Sequence, residues 1–119
     1  MKEGFSFTVT PRDGTVVLRV RGALDRRGAE RLHPDRLDLP KGWSLLVMDL
    51  SEVGFMDSAG VSLVAALYRM ARRRRRLFAL CCPQEEPRRA LELGRLNLVV
   101  PIYGSVEEVE RAVREGSFA

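Results

Sequence analysis

The sequence predicts a single α/β domain over residues 1–119, with a mixed, mostly parallel sheet that is opened by a β-hairpin and has helices packed on it. Residues 5–20 hold two strand patterns joined by Pro11-Arg12-Asp13-Gly14, which is strong turn chemistry. After this hairpin, apolar strand-like runs alternate with helical patterns, and parallel strands need such crossovers. The length of 119 residues allows one core and no second domain.

The first elements are the two strands of the hairpin. Phe5–Thr10 alternates apolar with polar side chains, and after the turn Thr15–Val20 resumes as a strand. A short helix follows from Arg26 to Leu32, and Asp25 is its predicted N-cap. Residues 34–42 are irregular and rich in turn residues.

The central segment predicts a buried strand, a short acidic loop and a helix. The strand is Trp43–Leu50, and its four apolar residues Leu45–Met48 are typical of a strand covered on both faces. Ser58 falls where helix-capping side chains are favoured. The predicted buried face of the helix comprises Val61, Val64, Ala65 and Tyr68, and it is widened by Leu63, Leu67 and Met70.

Four further elements complete the predicted domain. A strand covers Leu77–Cys82, and a helix covers Glu86–Leu93 with Pro87 in its first turn. We expect Gly94 to close this helix in a left-handed conformation. Leu98–Ile102 is predicted as a short strand, and the capping box Ser105–Glu108 begins the last helix.

Composition and charge exclude several classes of protein. The chain is 45% hydrophobic and 30% charged, as in soluble globular domains, and it has neither an apolar run of about 20 residues nor a secretory signal. We therefore expect a cytoplasmic protein. The net charge of +4 depends on the five arginines Arg72–Arg76, because 4 minus 5 leaves −1. This run favours a solvated helix end over a nucleic-acid site, since no aromatic residues are interleaved for base stacking.

The cysteines and the single histidine do not predict a metal or cofactor site. Cys81 and Cys82 are adjacent, which does not match zinc-ligand spacing, and both are expected to be buried in a strand. His33 has no partner histidine and precedes Pro34. We therefore expect no metal ligand or general base among these residues.

Three roles are open for the Ser58 hydroxyl: nucleophile, helix cap and phosphate acceptor. A nucleophile elbow requires glycine where Met56 stands, no base is evident, and no phosphate-binding loop is present, so we expect no enzymatic activity. Spacing alone favours the cap. A phosphate is also compatible with a helix entrance, although Asp57 would repel it, and this combination suits a reversible surface switch.

The segment Phe55–Val61, preceded by Met48-Asp49-Leu50 and by Val20–Asp25, resembles the STAS domain of anti-sigma factor antagonists. The resemblance covers nearly the whole chain. It implies that Ser58 is phosphorylated by an anti-sigma factor that is a serine kinase of the histidine-kinase-like ATPase type. The unphosphorylated form would bind this kinase and release a sigma factor, and a serine phosphatase would be a further partner.

The resemblance also assigns roles by position. Asp57 would hold the loop and orient phosphoryl transfer, and Gly22 and Asp25 would lie on a neighbouring loop of the same docking surface. The full set of expected partner-binding residues is Gly22, Asp25, Met56, Asp57, Ser58, Ala59 and Gly60. The family also includes stressosome scaffolds, transporter tails and a lipid-transport subunit, so a role without a phospho-switch stays an alternative, as does a nucleic-acid-binding role for the arginine run.

Overall fold

A five-stranded mixed sheet forms the centre of the domain, which a computed structural model describes over residues 4–118. The strands lie side by side in chain order, with the first pair antiparallel and the other three pairs parallel. They are β1 (Ser6–Arg12), β2 (Thr15–Leu24), β3 (Leu45–Met56), β4 (Leu77–Cys81) and β5 (Ile102–Tyr103). The predicted α/β fold class with its opening hairpin is confirmed.

Helices cover both faces of this sheet. They are α1 (Arg26–Arg31), α2 (Ser58–Arg73), α3 (Glu85–Leu93) and α4 (Val106–Arg114), and a 3₁₀ helix spans Leu96–Leu98. Along β3 the side chains alternate, so that Leu46 and Met48 join the core beneath α1, α2 and α3, whereas Leu45 and Val47 join the core beneath α4. The prediction of a strand buried on both faces is therefore confirmed. Among residues 4–118, no helix has the length and apolar character to cross a bilayer.

Three strands run beyond their predicted ends. β1 continues through Pro11 and Arg12, which leaves only Asp13 and Gly14 in the predicted turn. β2 continues through Gly22 to Leu24, and β3 continues through the segment expected to be an acidic loop. The loop prediction is wrong because the β2–β3 ladder extends to the Leu24–Met56 pair. Here β3 buries only Val53 and Met56 and exposes the residues between and before them, including Glu52. Half-exposed strands carry charged residues on their open face, which makes them resemble loops in sequence.

The buried face of α2 is rotated relative to the prediction. Val61, Ala65 and Tyr68 are only partly buried, and they flank the core. The rotation is set by close contact of the first turn of α2 with the ends of β2 and β3, described below. The residues that continue from this contact at helical spacing form the core face, and they are Gly60, Leu63, Val64, Leu67, Met70 and Ala71.

The region after α3 also differs from the prediction. Gly94 has φ −84°, and the left-handed conformation falls on Arg95 instead, with φ 62°. Leu98–Ile102 does not form one strand, since it begins in the 3₁₀ helix and only Ile102 pairs with β4. Leu98 is 72% exposed at the end of the 3₁₀ helix.

The capping box at the start of α4 is confirmed with a small shift. The Ser105 hydroxyl accepts a hydrogen bond from the Glu108 amide at 3.1 Å, and the Glu108 carboxylate accepts one from the Gly104 amide, also at 3.1 Å. The reciprocal bond therefore goes to the residue before the cap. The bond to Ser105 satisfies one of the amides that the start of a helix leaves without a partner, and the bond from Gly104 fixes the chain just before the cap.

An ion pair between exposed Arg19 and buried Asp49 joins the middle of β2 to β3. The Asp49 side chain is 5% exposed, and its carboxylate accepts hydrogen bonds from Arg19 at 3.0 Å and from the Ser51 amide at 2.9 Å. Burial alone would raise the pKa of Asp49, but the bonds from Ser51 and Arg19 outweigh burial and hold the pKa below its ordinary value of 3.8. The carboxylate is therefore charged in the folded protein.

We expect Asp49→Asn to lower the free energy of unfolding by about 1–2 kcal/mol at neutral pH, because it removes a charge-assisted hydrogen bond from a buried site. The folded-state pKa lies below the unfolded one, so this stabilisation is present above pH 3.8 and is lost as the pH falls through the folded-state pKa. Urea unfolding from pH 7 to pH 3 measures the difference. Glu52→Gln, in the exposed pair with Arg21, is the control and should change stability by under about 0.5 kcal/mol.

Candidate functional site

The parallel register of β2 and β3 places two helix starts side by side. Leu24 pairs with Met56, and the next residue on each strand is an aspartate that caps the following helix. Asp25 accepts a hydrogen bond from the Gly28 amide at 3.1 Å, as predicted. Asp57 accepts bonds from the amides of Ala59 at 2.9 Å and Gly60 at 3.3 Å. The amino ends of α1 and α2 therefore meet at one edge of the sheet.

Ser58 is the first residue of α2, not its cap, so the sequence-based capping prediction is wrong. Asp57 and Ser58 are adjacent, and either residue type can cap a helix. Because β3 ends at Met56, Asp57 takes the N-cap position. Asp57 has the extended conformation that an N-cap requires, with φ −110° and ψ −166°. Ser58 is exposed, and its hydroxyl makes no hydrogen bond to any part of residues 4–118.

Gly60 allows α2 to begin against the ends of both strands. A Cβ atom on Gly60 would lie 2.5 Å from the Leu24 carbonyl oxygen and 2.5 Å from the Met56 side chain. Met56 itself is 5% exposed. Both residues belong to the expected partner-binding set, and the structure places Gly60 on the inner side of the first turn of α2 and Met56 beneath it, where their packing positions Ser58.

The other expected site residues lie near the surface of the same edge. Ala59 and Asp57 are half-buried in the first turn of α2, and Asp25 is half-buried at the start of α1. Gly22 lies just upstream in β2 with φ 103°, a conformation that favours glycine, and a Cβ atom there would be 3.3 Å from the Phe5 backbone. The structure therefore brings Asp25, Asp57, Ser58 and Ala59 together and places Gly22 in the supporting strand.

A groove between α1 and α2 adjoins Ser58 and was not foreseen from the sequence. Its cavity has a volume of about 310 Å³, with Arg26 and Ala29 of α1 on one side and Ala59 and Ser62 of α2 on the other. The sequence feature that could have indicated this groove is a row of small residues at helical spacing on α2, namely Ala59, Ser62 and Ala66. Phe55, which is 45% exposed at the end of β3, was also overlooked as a surface residue.

The site lacks the parts of a serine nucleophile. His33 lies on the rim of the groove, but its Nδ1 atom accepts a hydrogen bond from the Asp35 amide at 3.2 Å. The Ser58 hydroxyl has no hydrogen bond to His33 or to any other group in the described chain. Activation of a serine requires a base within hydrogen-bond reach, so this geometry favours a surface acceptor over a nucleophile.

Asp49, Cys81 and Cys82 form a group of possible metal ligands, with their ligand atoms within 4.8 Å of one another. Cys81 is buried as predicted, but Cys82 is only half-buried because its φ of 62° takes it out of the strand. Burial raises the pKa of both thiols, which opposes the thiolate form that binds metals. Both oxygens of Asp49 already accept hydrogen bonds from Arg19 and Ser51, so this chemistry does not favour a metal centre.

Comparison with known proteins gives the family. A model of the STAS domain matches residues 6–109, which is most of the chain. The chain belongs to the STAS domain family. It is 25% identical over 92 residues to the anti-sigma F factor antagonist of Paenibacillus polymyxa, and the match covers 76% of this chain and 79% of that relative.

Solved structures show the same STAS fold. A Thermotoga maritima protein, provisionally assigned as an anti-sigma factor antagonist, superposes with a TM-score of 0.81 at 27% identity, covering 91% of this chain and 94% of that one. The Bacillus cell fate determinant SpoIIAA in its phosphorylated form superposes with a TM-score of 0.67 at 22% identity, covering 92% of this chain and 100% of that one. Similarity to named antagonists supports an anti-sigma factor antagonist role for this STAS domain.

We expect Asp57→Ala to lower the free energy of unfolding by about 1 kcal/mol, because it removes the N-cap of α2. Ser58→Ala should change it by under about 0.5 kcal/mol, since the exposed hydroxyl bonds to nothing in the described fold. Asp57→Asn is the matched control, because asparagine caps as well as aspartate. Chemical unfolding of the three variants measures these effects, and a larger loss for Ser58→Ala than for Asp57→Ala would contradict the assigned cap.

Proposed function

We propose that this STAS domain is a phosphorylation-switched anti-sigma factor antagonist. With Ser58 unmodified, it binds an anti-sigma factor that is a serine kinase of the histidine-kinase-like ATPase type, and a sigma factor is released. The observation that carries the proposal is the Ser58 hydroxyl, which is exposed and without a hydrogen bond at the first residue of α2. A kinase can reach such a hydroxyl without unfolding the helix.

Asp57 supports a switch that acts by charge. Its carboxylate already accepts the amides of Ala59 and Gly60, so a phosphate on Ser58 cannot bond to these amides unless it displaces the cap. A phosphate adds a charge of about −1.5 to −2 and would lie beside this carboxylate. Repulsion directs the phosphate outward, where its charge and bulk oppose a docked partner. This form of control requires no refolding of the domain.

The surface around Ser58 supports partner docking. The groove between α1 and α2 offers small side chains at Ala29, Ala59 and Ser62, which a partner can approach closely, and it is bordered by Arg26. Phe55 adds an exposed aromatic ring at the end of β3, and aromatic residues are enriched at protein interfaces. In this proposal the kinase supplies ATP and magnesium, a serine phosphatase restores the hydroxyl, and the domain itself catalyses nothing.

We expect Ser58→Ala to abolish phosphorylation by the cognate kinase while the complex still forms, because the substitution leaves the fold and the groove intact. Intact-mass measurement after incubation with kinase, ATP and magnesium should show one added phosphate on the unmodified protein and none on the variant. Ser62→Ala is the matched control and should still gain one phosphate, since it removes a hydroxyl one turn along the same helix and keeps a small side chain in the groove. Full phosphorylation of Ser58→Ala would show that another residue is the acceptor.

We expect Ser58→Asp to weaken binding of the kinase by about tenfold, a change of about 1.4 kcal/mol, because it places a second carboxylate beside Asp57. The loss should be smaller than that caused by the phosphate itself, which carries more charge. Ser58→Asn has nearly the same shape without the charge and should bind within about threefold of the unmodified protein. Isothermal calorimetry measures the affinity of the kinase for both variants, for the phosphorylated protein and for the unmodified protein. Equal affinity for the phosphorylated and unmodified forms would reject the switch.

A further inference from the structure

A second concave site lies at the opposite end of α2 from Ser58. The helix has 16 residues, and at 1.5 Å per residue it separates its ends by about 24 Å. The cavity has a volume of about 440 Å³, within the range of about 300–1,000 Å³ for small-molecule sites. It lies between the end of α2, the start of β4 and the segment that contains Val99.

The end of α2 turns part of the arginine run into this cavity. Arg75 has a left-handed φ of 57°, and the Arg76 amide donates back to the Ala71 carbonyl at 2.9 Å. This turn reverses the chain. Arg75 and Arg76 therefore line the cavity together with Arg72 from the last turn of α2, whereas Arg73 and Arg74 do not.

The three lining arginines have no anionic partner within the described residues. Their guanidinium groups form no ion pair across residues 4–118, although Arg12, Arg19 and Arg89 do so elsewhere. Arg72 donates a hydrogen bond to the Tyr68 hydroxyl at 3.1 Å, and the Arg76 guanidinium lies 4.7 Å from the centre of the Trp43 ring. These contacts orient positive charge at the cavity without neutralising it.

The rest of the cavity is apolar. Phe78 is 3% exposed and contributes to its wall, while Leu77 and Val99 are 38% and 51% exposed and lie at its margin. Two of the five large exposed apolar side chains in the described chain therefore line a single cavity. Covering them with an apolar group would be favourable.

We propose that this cavity binds an amphipathic anion, a carboxylate or phosphate head group on an apolar chain. Guanidinium groups bind planar carboxylates and phosphates through paired hydrogen bonds, and the apolar wall would take the attached chain. A polynucleotide matches less well, since the three aromatic rings of the lining offer little open face for base stacking: Phe78 is buried, and Tyr68 and Phe118 are half-buried. The inference rests on this cavity alone and does not depend on the proposed role of Ser58.

Trp43 fluorescence can report binding at this cavity. Trp43 is the one tryptophan of the chain, and the guanidinium of Arg76, which lines the cavity, lies over its ring. Octyl phosphate and octanoate are titrated below their micelle-forming concentrations while Trp43 fluorescence is recorded. We expect a saturable change with both anions and none with octyltrimethylammonium, which has the same chain and the opposite charge. An equal response to the cationic amphiphile, or the absence of any saturable change, would overturn the proposal.

The arginine run contains its own matched control. Two double variants each remove two positive charges from the run: Arg72→Gln/Arg75→Gln and Arg73→Gln/Arg74→Gln. Only the residues of the first pair line the cavity. We expect the first variant to bind octyl phosphate at least tenfold more weakly and the second to bind it within twofold of the unmodified protein. Equal losses in the two variants would mean diffuse charge attraction and would overturn the cavity assignment.

Vesicles distinguish a free anion from a membrane lipid as the source of the head group. Sedimentation with phosphatidylglycerol vesicles, compared with phosphatidylcholine vesicles, tests the lipid. Vesicle binding that octyl phosphate displaces, and that only the cavity variant loses, supports the proposal with a lipid source. Octyl phosphate binding without vesicle binding supports it with a soluble source. Vesicle binding lost equally in both double variants, without octyl phosphate binding, would contradict it.

Discussion

The parallel pairing that ends at Leu24 and Met56 determines where everything else at the candidate site lies. Because the two strands end opposite each other, Asp25 and Asp57 occupy equivalent positions and cap adjacent helices. Gly60 then lets α2 start directly against both strand ends. Ser58 lies between the cap Asp57 and the packed Gly60, and its side chain is exposed to solvent. Its exposure is therefore a consequence of strand register and close packing beneath it.

Much of the fold could be predicted because periodicity and turn chemistry are local signals. The hairpin, the buried half of β3 and the capping box at Ser105 all follow from nearby residues. The errors arose where a distant contact decides the outcome. The acidic end of β3 is a strand because β2 pairs with it, and Leu98–Ile102 is mostly not a strand because only its end meets β4.

At the candidate site, too, local signals could be predicted and features that depend on distant contacts could not. The sequence identifies Ser58 and Asp57 as neighbours at a helix entrance, but it does not decide which one caps, since both residue types are good caps. That choice depends on where β3 ends, and so on pairing with β2. Met56 belongs to the same motif, yet it is buried and supports the site from below. The groove between α1 and α2 needs two helices that are distant in sequence and therefore has no local signature.

The two ends of α2 differ in their electrostatics. At the amino end, the Asp57 carboxylate accepts the amides of Ala59 and Gly60, so a phosphate added at Ser58 would meet negative charge. At the carboxyl end, the helix dipole favours cations, and Arg72, Arg75 and Arg76 lie beside apolar side chains at one cavity. Negative charge is thus opposed at one end and attracted at the other. Because the core face of α2 is packed along its length, a ligand bound at the arginine end would stabilise the helix while lying about 24 Å from Ser58.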